Sequence, residues 1–98
     1  MRDPATLGDM AALRAEIDAT DKRLSALLAH RQGLIDRAAE IKTGAGLPAR
    51  IKGRVDEVIA NARLNAEAEG IDPDLSEALW RELVEWSIRR EETVLGQE

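Results

Sequence analysis

Between residues 10 and 42 one stripe of positions recurs at spacings of three and four: Met10, Arg14, Ile17, Asp21, Leu24, Leu28, Arg31, Ile35, Ala38 and Lys42. That period is helical. No breaker appears before Thr43-Gly44, so the pattern predicts a single helix of about 35 residues, roughly 50 Å long at 1.5 Å per residue. It begins near Thr6, where Thr6 and Asp9 resemble a capping box with Asp in place of Glu, or at Asp9 itself. The segment TGAGLPA, residues 43–49, holds two Gly and a Pro. It ends the helix and predicts a short, mobile connection that could serve as a lid. A second helix is predicted from Pro48 at its first position, through Ile51, Val55, Val58, Ile59 and Ala62, to a stop at Gly70. Asp72 as cap, Pro73 and Asp74 then start a third helix that runs to about Gly96, with Trp80, Val84, Ser87, Glu91 and Val94 along one face.

No alternating β-branched run competes with these helices, so the fold class read from the pattern is all-α, with three helices in one domain over residues 1–98. Whether residues 1–8 are ordered is left open. A chain of 98 residues buries only a modest fraction of its surface, and a rod of the predicted length must lie along something else. Charged residues make up 34% of the chain and aromatics 2%, which leaves Ala, Leu, Ile and Val as the packing material. The net charge of −5, with scattered cations, makes nucleic acid and anionic membrane poor partners. It does not exclude a small anion, because a local group of cations dominates within a Debye length of roughly 8 Å. Cys is absent, the first residues carry no apolar signal segment, and no run approaches a membrane span. The expected location is the cytoplasm.

Polar residues on stripes of buried type change the picture from packing to chemistry. An Arg or Lys on a buried seam costs several kcal/mol of desolvation unless a counter-charge meets it. Arg31 and Lys42 are 11 residues apart, close to three turns, so they share a face with roughly 16 Å between their Cα atoms and can converge on a small object between them. Arg14 lies roughly 25 Å from Arg31 along the axis and cannot join them from the same chain. If two copies of the long helix pair antiparallel about a dyad near residue 25, where Ser25, Ala26 and Ala29 permit close approach, Arg14 of one copy falls opposite the gap between Arg31 and Lys42 of the other. The expectation is a homodimer with two composite sites. Ser87 and Glu91, four residues apart on the third helix, add a hydroxyl and a carboxyl.

Such a group of cations suits a small polyanion. No nucleophile has an adjacent base, no metal cluster is apparent, and no cofactor is called for; His30 has no second ligand at metal spacing and reads as a surface residue. TGAGLP follows a helix and is not placed to cradle phosphate. Chemistry by positioning and charge stabilisation remains. The competing reading is a dimeric helical interaction module whose polar seam residues enforce register.

The stretch LRAEIDATDKRLSALLAHRQGLIDRAAEIK resembles the first helix of the AroQ-class, or type II, chorismate mutases, with its Leu-Arg-x-x-Ile-Asp opening, Asp-x-x-Leu-x-x-Leu-Leu-x-x-Arg middle and final Ile-Lys. Arg54, the Gly-Ile-Asp turn and the Ser87/Glu91 pair extend the resemblance from about residue 10 to residue 95. It implies an intertwined helical homodimer that rearranges chorismate to prephenate in a pericyclic step. In that family Arg14 from the partner chain, Arg31 and Arg54 would hold the two substrate carboxylates, and Lys42 and Glu91 would donate to the ether oxygen of the breaking bond. Ser87 would contact a carboxylate or a nearby polar atom. Read without the resemblance, Arg54 is an exposed arginine paired with Asp56 or Glu57.

The chain departs from the family pattern in three places. Glu91 stands where many bacterial members have Gln; a carboxyl there donates a hydrogen bond only when protonated, so activity is expected to decline as pH rises through its titration. Val55 stands where many members place Glu, and Ile51 where Asp is common. The last two positions would face the substrate ring, and the Arg-Val arrangement resembles the isochorismate-pyruvate lyases. Chorismate, isochorismate and 4-amino-4-deoxychorismate are therefore all candidate substrates, with chorismate preferred.

Overall fold

Helix boundaries follow from which backbone groups find caps. The structure, a computed structural model, describes residues 1–96. A 3-10 turn over Pro4–Thr6 precedes three α-helices, α1 (Met10–Ala45), α2 (Lys52–Glu69) and α3 (Pro73–Leu95). Among the described residues there is no strand, and no helix is long and apolar enough to cross a membrane. The fold is thus all-helical with one long N-terminal helix.

Of the two starts open to α1, Asp9 is the one used. Its carboxylate accepts from the Ala12 N–H at 2.7 Å and its carbonyl from the Leu13 N–H at 3.0 Å. Thr6 belongs instead to the preceding turn, where its hydroxyl donates to the Asp3 carbonyl at 2.7 Å. Gly46 ends α1 at a φ of 69°, a left-handed conformation that lets Leu47 N–H reach back to the Lys42 carbonyl at 2.9 Å. Gly70 ends α2 in the same way, at a φ of 76°. Asp72 caps α3 with its side chain on Asp74 N–H at 2.9 Å, ahead of Pro73, as the sequence predicts.

Two local expectations are corrected. Pro48 does not open α2, which begins four residues later; Ile51 is extended at its N-cap position and no side chain caps the helix. The cause is Ala49, whose buried methyl group joins Ile59, Val84 and Ile88 in a core cluster and draws the chain off a helical path. Burial at residue 49 overrides the preference of proline for a first helical turn. The connection after α1 is anchored at its far end. Its Ala49 is in the core, and Arg50 makes a two-pronged contact with Glu85 on α3, at 3.0 and 2.6 Å.

The second correction is on α3, where Val94 is 63% exposed and Leu95 packs against the core cluster in its place. A straight helix turns 100° per residue, so four steps on from Glu91 stay closer to its face than three steps. His30 is exposed, as expected of a surface residue.

Contacts within one chain divide it into two compact units, Met1–Leu34 and the residues from Ile35 onward. In the first, the backbone N–H of Arg2 donates to Glu16 at 3.2 Å. The apolar stripe of α1 finds little cover there, since Ile17, Leu24 and Leu28 are 49%, 52% and 46% exposed. The second unit holds the core cluster, with Val55, Val58, Trp80 and Leu95 packed around it. Small residues bring α2 and α3 together: Ala62, Ala66 and Ser76 are all buried, and the Ser76 hydroxyl donates to the Ala62 carbonyl at 3.0 Å. In the same unit Arg90 on α3 grips Asp36 on α1 at 2.5 and 3.0 Å, with its guanidinium 5.4 Å from the Trp86 ring centre.

Truncating the core cluster by Ile59→Ala is expected to cost about 2–4 kcal/mol, read from urea unfolding at one fixed protein concentration. The Arg90 hydrogen bond holds the Asp36 carboxyl below its ordinary range, outweighing the opposing effect of desolvation. A lowered folded-state value stabilises the fold above the ordinary carboxylate range and is lost as pH falls through the lowered value. Asp36→Asn is therefore expected to shrink the fall in Tm between neutral and acidic pH relative to wild type, measured by thermal scans across that range.

Candidate active site

The polar residues that looked misplaced in the sequence divide between the two units. Arg14, exposed, and Arg31, partly buried, lie in the first. Lys42, Ile51, Arg54, Val55, Ser87 and Glu91 lie in the second.

Within the second unit Lys42 and Glu91 meet. Lys42 stands in the last turn of α1, where a cation also complements the helix dipole. Its ammonium lies 2.6 Å from Glu91 Oε1, and the two side chains are 18% and 5% exposed. It also donates to the Ala49 carbonyl at 2.7 Å. The contact with Glu91 is one of charge: buried Oε1 receives no directed hydrogen bond from any described residue. A carboxylate oxygen removed from water in this way retains unused hydrogen-bonding capacity. One turn before Glu91, the buried Ser87 hydroxyl donates to the Leu83 carbonyl at 2.7 Å.

The remaining predicted residues stand apart from that contact. Arg54 is exposed and pairs with Glu57, one turn along α2, so the plain reading of this arginine describes the single chain. Ile51 is exposed at the start of α2, and Val55 is partly buried against the core cluster. Neither supplies a hydrogen-bond acceptor to the site. A groove of about 550 Å³ lined by Asp36, Trp86, Arg89, Arg90 and their neighbours contains none of the predicted site residues. No group of three or more metal-ligating side chains converges among the described residues.

Three participants escaped the sequence reading. The Ala49 carbonyl is a backbone group with no residue-type signal, and Arg50 and Glu85 are 35 positions apart. Chemically, the arrangement offers an ammonium held at one N–H by a carbonyl and set against a buried carboxyl. It can supply positive charge, and a proton when the carboxyl is protonated, to an electron-rich oxygen placed between them.

The family model for type II chorismate mutase matches residues 13–92. The chain belongs to the type II chorismate mutase family. Membership supports reading the chain as an enzyme, an isomerase, and the matched span contains all eight predicted site residues. The T-protein of Enterobacter agglomerans is 38% identical over 85 residues, covering 87% of this chain and 23% of that relative. The T-protein of Haemophilus influenzae is 35% identical over 79 residues, covering 81% of this chain and 21% of that relative. The chain thus spans less than a quarter of the length of these two curated relatives. No solved structure matches it.

Removing one partner of a buried ion pair strands the other. Lys42→Met is expected to destabilise the chorismate mutase fold by about 3 kcal/mol, since it leaves the Glu91 carboxylate buried without a counter-charge. Glu91→Gln should cost less, about 1 kcal/mol, because the ammonium keeps the Ala49 carbonyl and some solvent. Urea unfolding of both variants beside wild type checks the order.

Proposed function

We propose that this chain converts chorismate to prephenate as a homodimer with two composite sites, working in the cytoplasm and without a cofactor. The observation that carries the reading is the buried Lys42–Glu91 contact, with a carboxylate oxygen lacking a directed donor, inside a chain of this family. In the proposed complex Arg31, Arg54 and the partner's Arg14 hold the two substrate carboxylates in paired hydrogen bonds. Holding both carboxylates folds the enolpyruvyl arm over the ring, so that the carbon atoms about to bond are adjacent. As the C–O bond lengthens, negative charge grows on the ether oxygen. Lys42 and protonated Glu91 donate to that oxygen, and Ser87 contacts a nearby carboxylate. One C–C bond forms and one C–O bond breaks within the same molecule, so no covalent intermediate with the protein is needed.

The dimer is supported by the open apolar stripe of α1 at Ile17, Leu24 and Leu28, which a second copy laid antiparallel would cover. The same pairing would bring the exposed Arg14 to the neighbouring site. Forming the complex would require Arg54 to leave Glu57 and Lys42 to turn partly from Glu91. The exposure of the Arg54 pair makes the first exchange inexpensive.

A second reading is favoured by the apolar pair Ile51 and Val55. With no acceptor there for a ring hydroxyl, the site could instead act on isochorismate, releasing salicylate and pyruvate, or on 4-amino-4-deoxychorismate, giving the amino analogue of prephenate. Incubation with each of the three cyclohexadienes, followed by chromatography, is expected to yield prephenate from chorismate at the highest kcat/KM; a larger value for either of the other two would transfer the assignment. Lys42→Ala should lower kcat at least about a thousandfold. Glu91→Gln should flatten the decline of activity toward alkaline pH, and an unchanged profile in that variant would remove the proton-donating role. Sedimentation at micromolar concentration should find a dimer.

A further inference from the structure

The Lys42 ammonium has three N–H groups, and one of them is committed to a backbone carbonyl of the α1–α2 connection. That carbonyl belongs to Ala49, which is anchored on one side by its methyl group in the core cluster. On the other side its neighbour Arg50 reaches α3, where its two terminal guanidinium nitrogens donate to the two oxygens of Glu85, at 3.0 and 2.6 Å. Glu85 and Glu91 are on the same helix, so one helix holds the carboxylate that faces Lys42 and also the anchor of the segment that hydrogen-bonds it. A planar fork on a carboxylate fixes direction as well as distance, which a single lysine contact does not. Each group also perturbs the other: the Glu85 hydrogen bond raises the Arg50 guanidinium, and the Arg50 hydrogen bond lowers the Glu85 carboxyl.

We propose that Arg50 and Glu85 are positioning residues for Lys42: their fork pins residue 50 to α3, which fixes the Ala49 carbonyl and, through it, the direction in which the ammonium presents its remaining hydrogens. Neither residue touches the substrate. A lysine side chain has four rotatable bonds and a substantial entropy to lose, so an ammonium with one N–H already placed is better prepared to meet a developing charge than a free one. The proposal deepens the proposed function and rests on it for the kinetic half of its test; the spectroscopic half requires no substrate.

The pair is partly exposed, and its loss should leave the fold standing. Heteronuclear NMR of the lysine side-chain ammonium groups in the ligand-free protein, with Lys42 assigned by its disappearance in Lys42→Arg, reads the geometry directly. Arg50→Ala is expected to move the Lys42 resonance and speed its hydrogen exchange. With substrate, the same variant should lose about tenfold in kcat with KM within about twofold, short of the roughly hundredfold loss from a full ångström of misplacement. Glu85→Ala should behave alike, and the double variant should be no worse than either single one, because the two side chains act as one device. A Lys42 resonance unchanged in Arg50→Ala overturns the proposal, as does additivity of the two substitutions in kcat. If wild type converts none of the three cyclohexadienes, the functional reading fails, and the resonance alone decides the positioning role.

Discussion

A charged pair withdrawn from water constrains everything around it. Lys42 and Glu91 stand on different helices and are largely hidden from solvent, and each would be costly to bury alone. Their meeting fixes the end of α1 against α3. It also requires the chain after α1 to turn so that Ala49 offers its carbonyl to the ammonium and its methyl group to the core. The late start of α2 follows from that turn. Proline at position 48 would favour an earlier helix, but a helix from there would carry the Ala49 carbonyl into its own backbone hydrogen bonding. One interaction therefore links the packing of the second unit to the group best placed to do chemistry.

A protein optimised only for stability would do better with apolar residues at these positions. Retaining an ammonium and a carboxyl where a leucine would pack implies a use for them, and membership of the type II chorismate mutase family supplies one. A pericyclic rearrangement asks for no nucleophile. It needs a folded substrate and a charge-stabilising group that has already been oriented, and burial makes both more effective because the local dielectric is low.

Much of this was legible in the residue pattern. Asp72-Pro73-Asp74 and Gly70 carry their conformations in their side chains or lack of one, and the structure uses them as the sequence implies. Lys42 and Glu91 were conspicuous because polar residues on a buried stripe contradict its period. What remained hidden depended on tertiary contacts. Nothing local distinguishes Ala49 from the other alanines, and only the cluster of Ile59, Val84 and Ile88 explains why it leaves the helical path. Val94 and Leu95 are separated by one position and a rotation of 100°, a difference that a spacing rule of three or four cannot resolve. Arg54 illustrates the opposite case, since a neighbouring glutamate satisfies it within the chain and the role proposed for it would need a ligand to draw it away.

In the proposed complex Lys42 meets an oxygen of a bound dicarboxylate from the cradle formed by Glu91 and the Ala49 carbonyl. A crystal structure with a stable bicyclic ether dicarboxylate shaped like the rearranging substrate tests this most directly. The ether oxygen is expected within hydrogen-bonding distance of Lys42 Nζ, with the Ala49 carbonyl still accepting from the same ammonium. Density for the compound in the groove beside Trp86, with Lys42 still closed on Glu91, would contradict it.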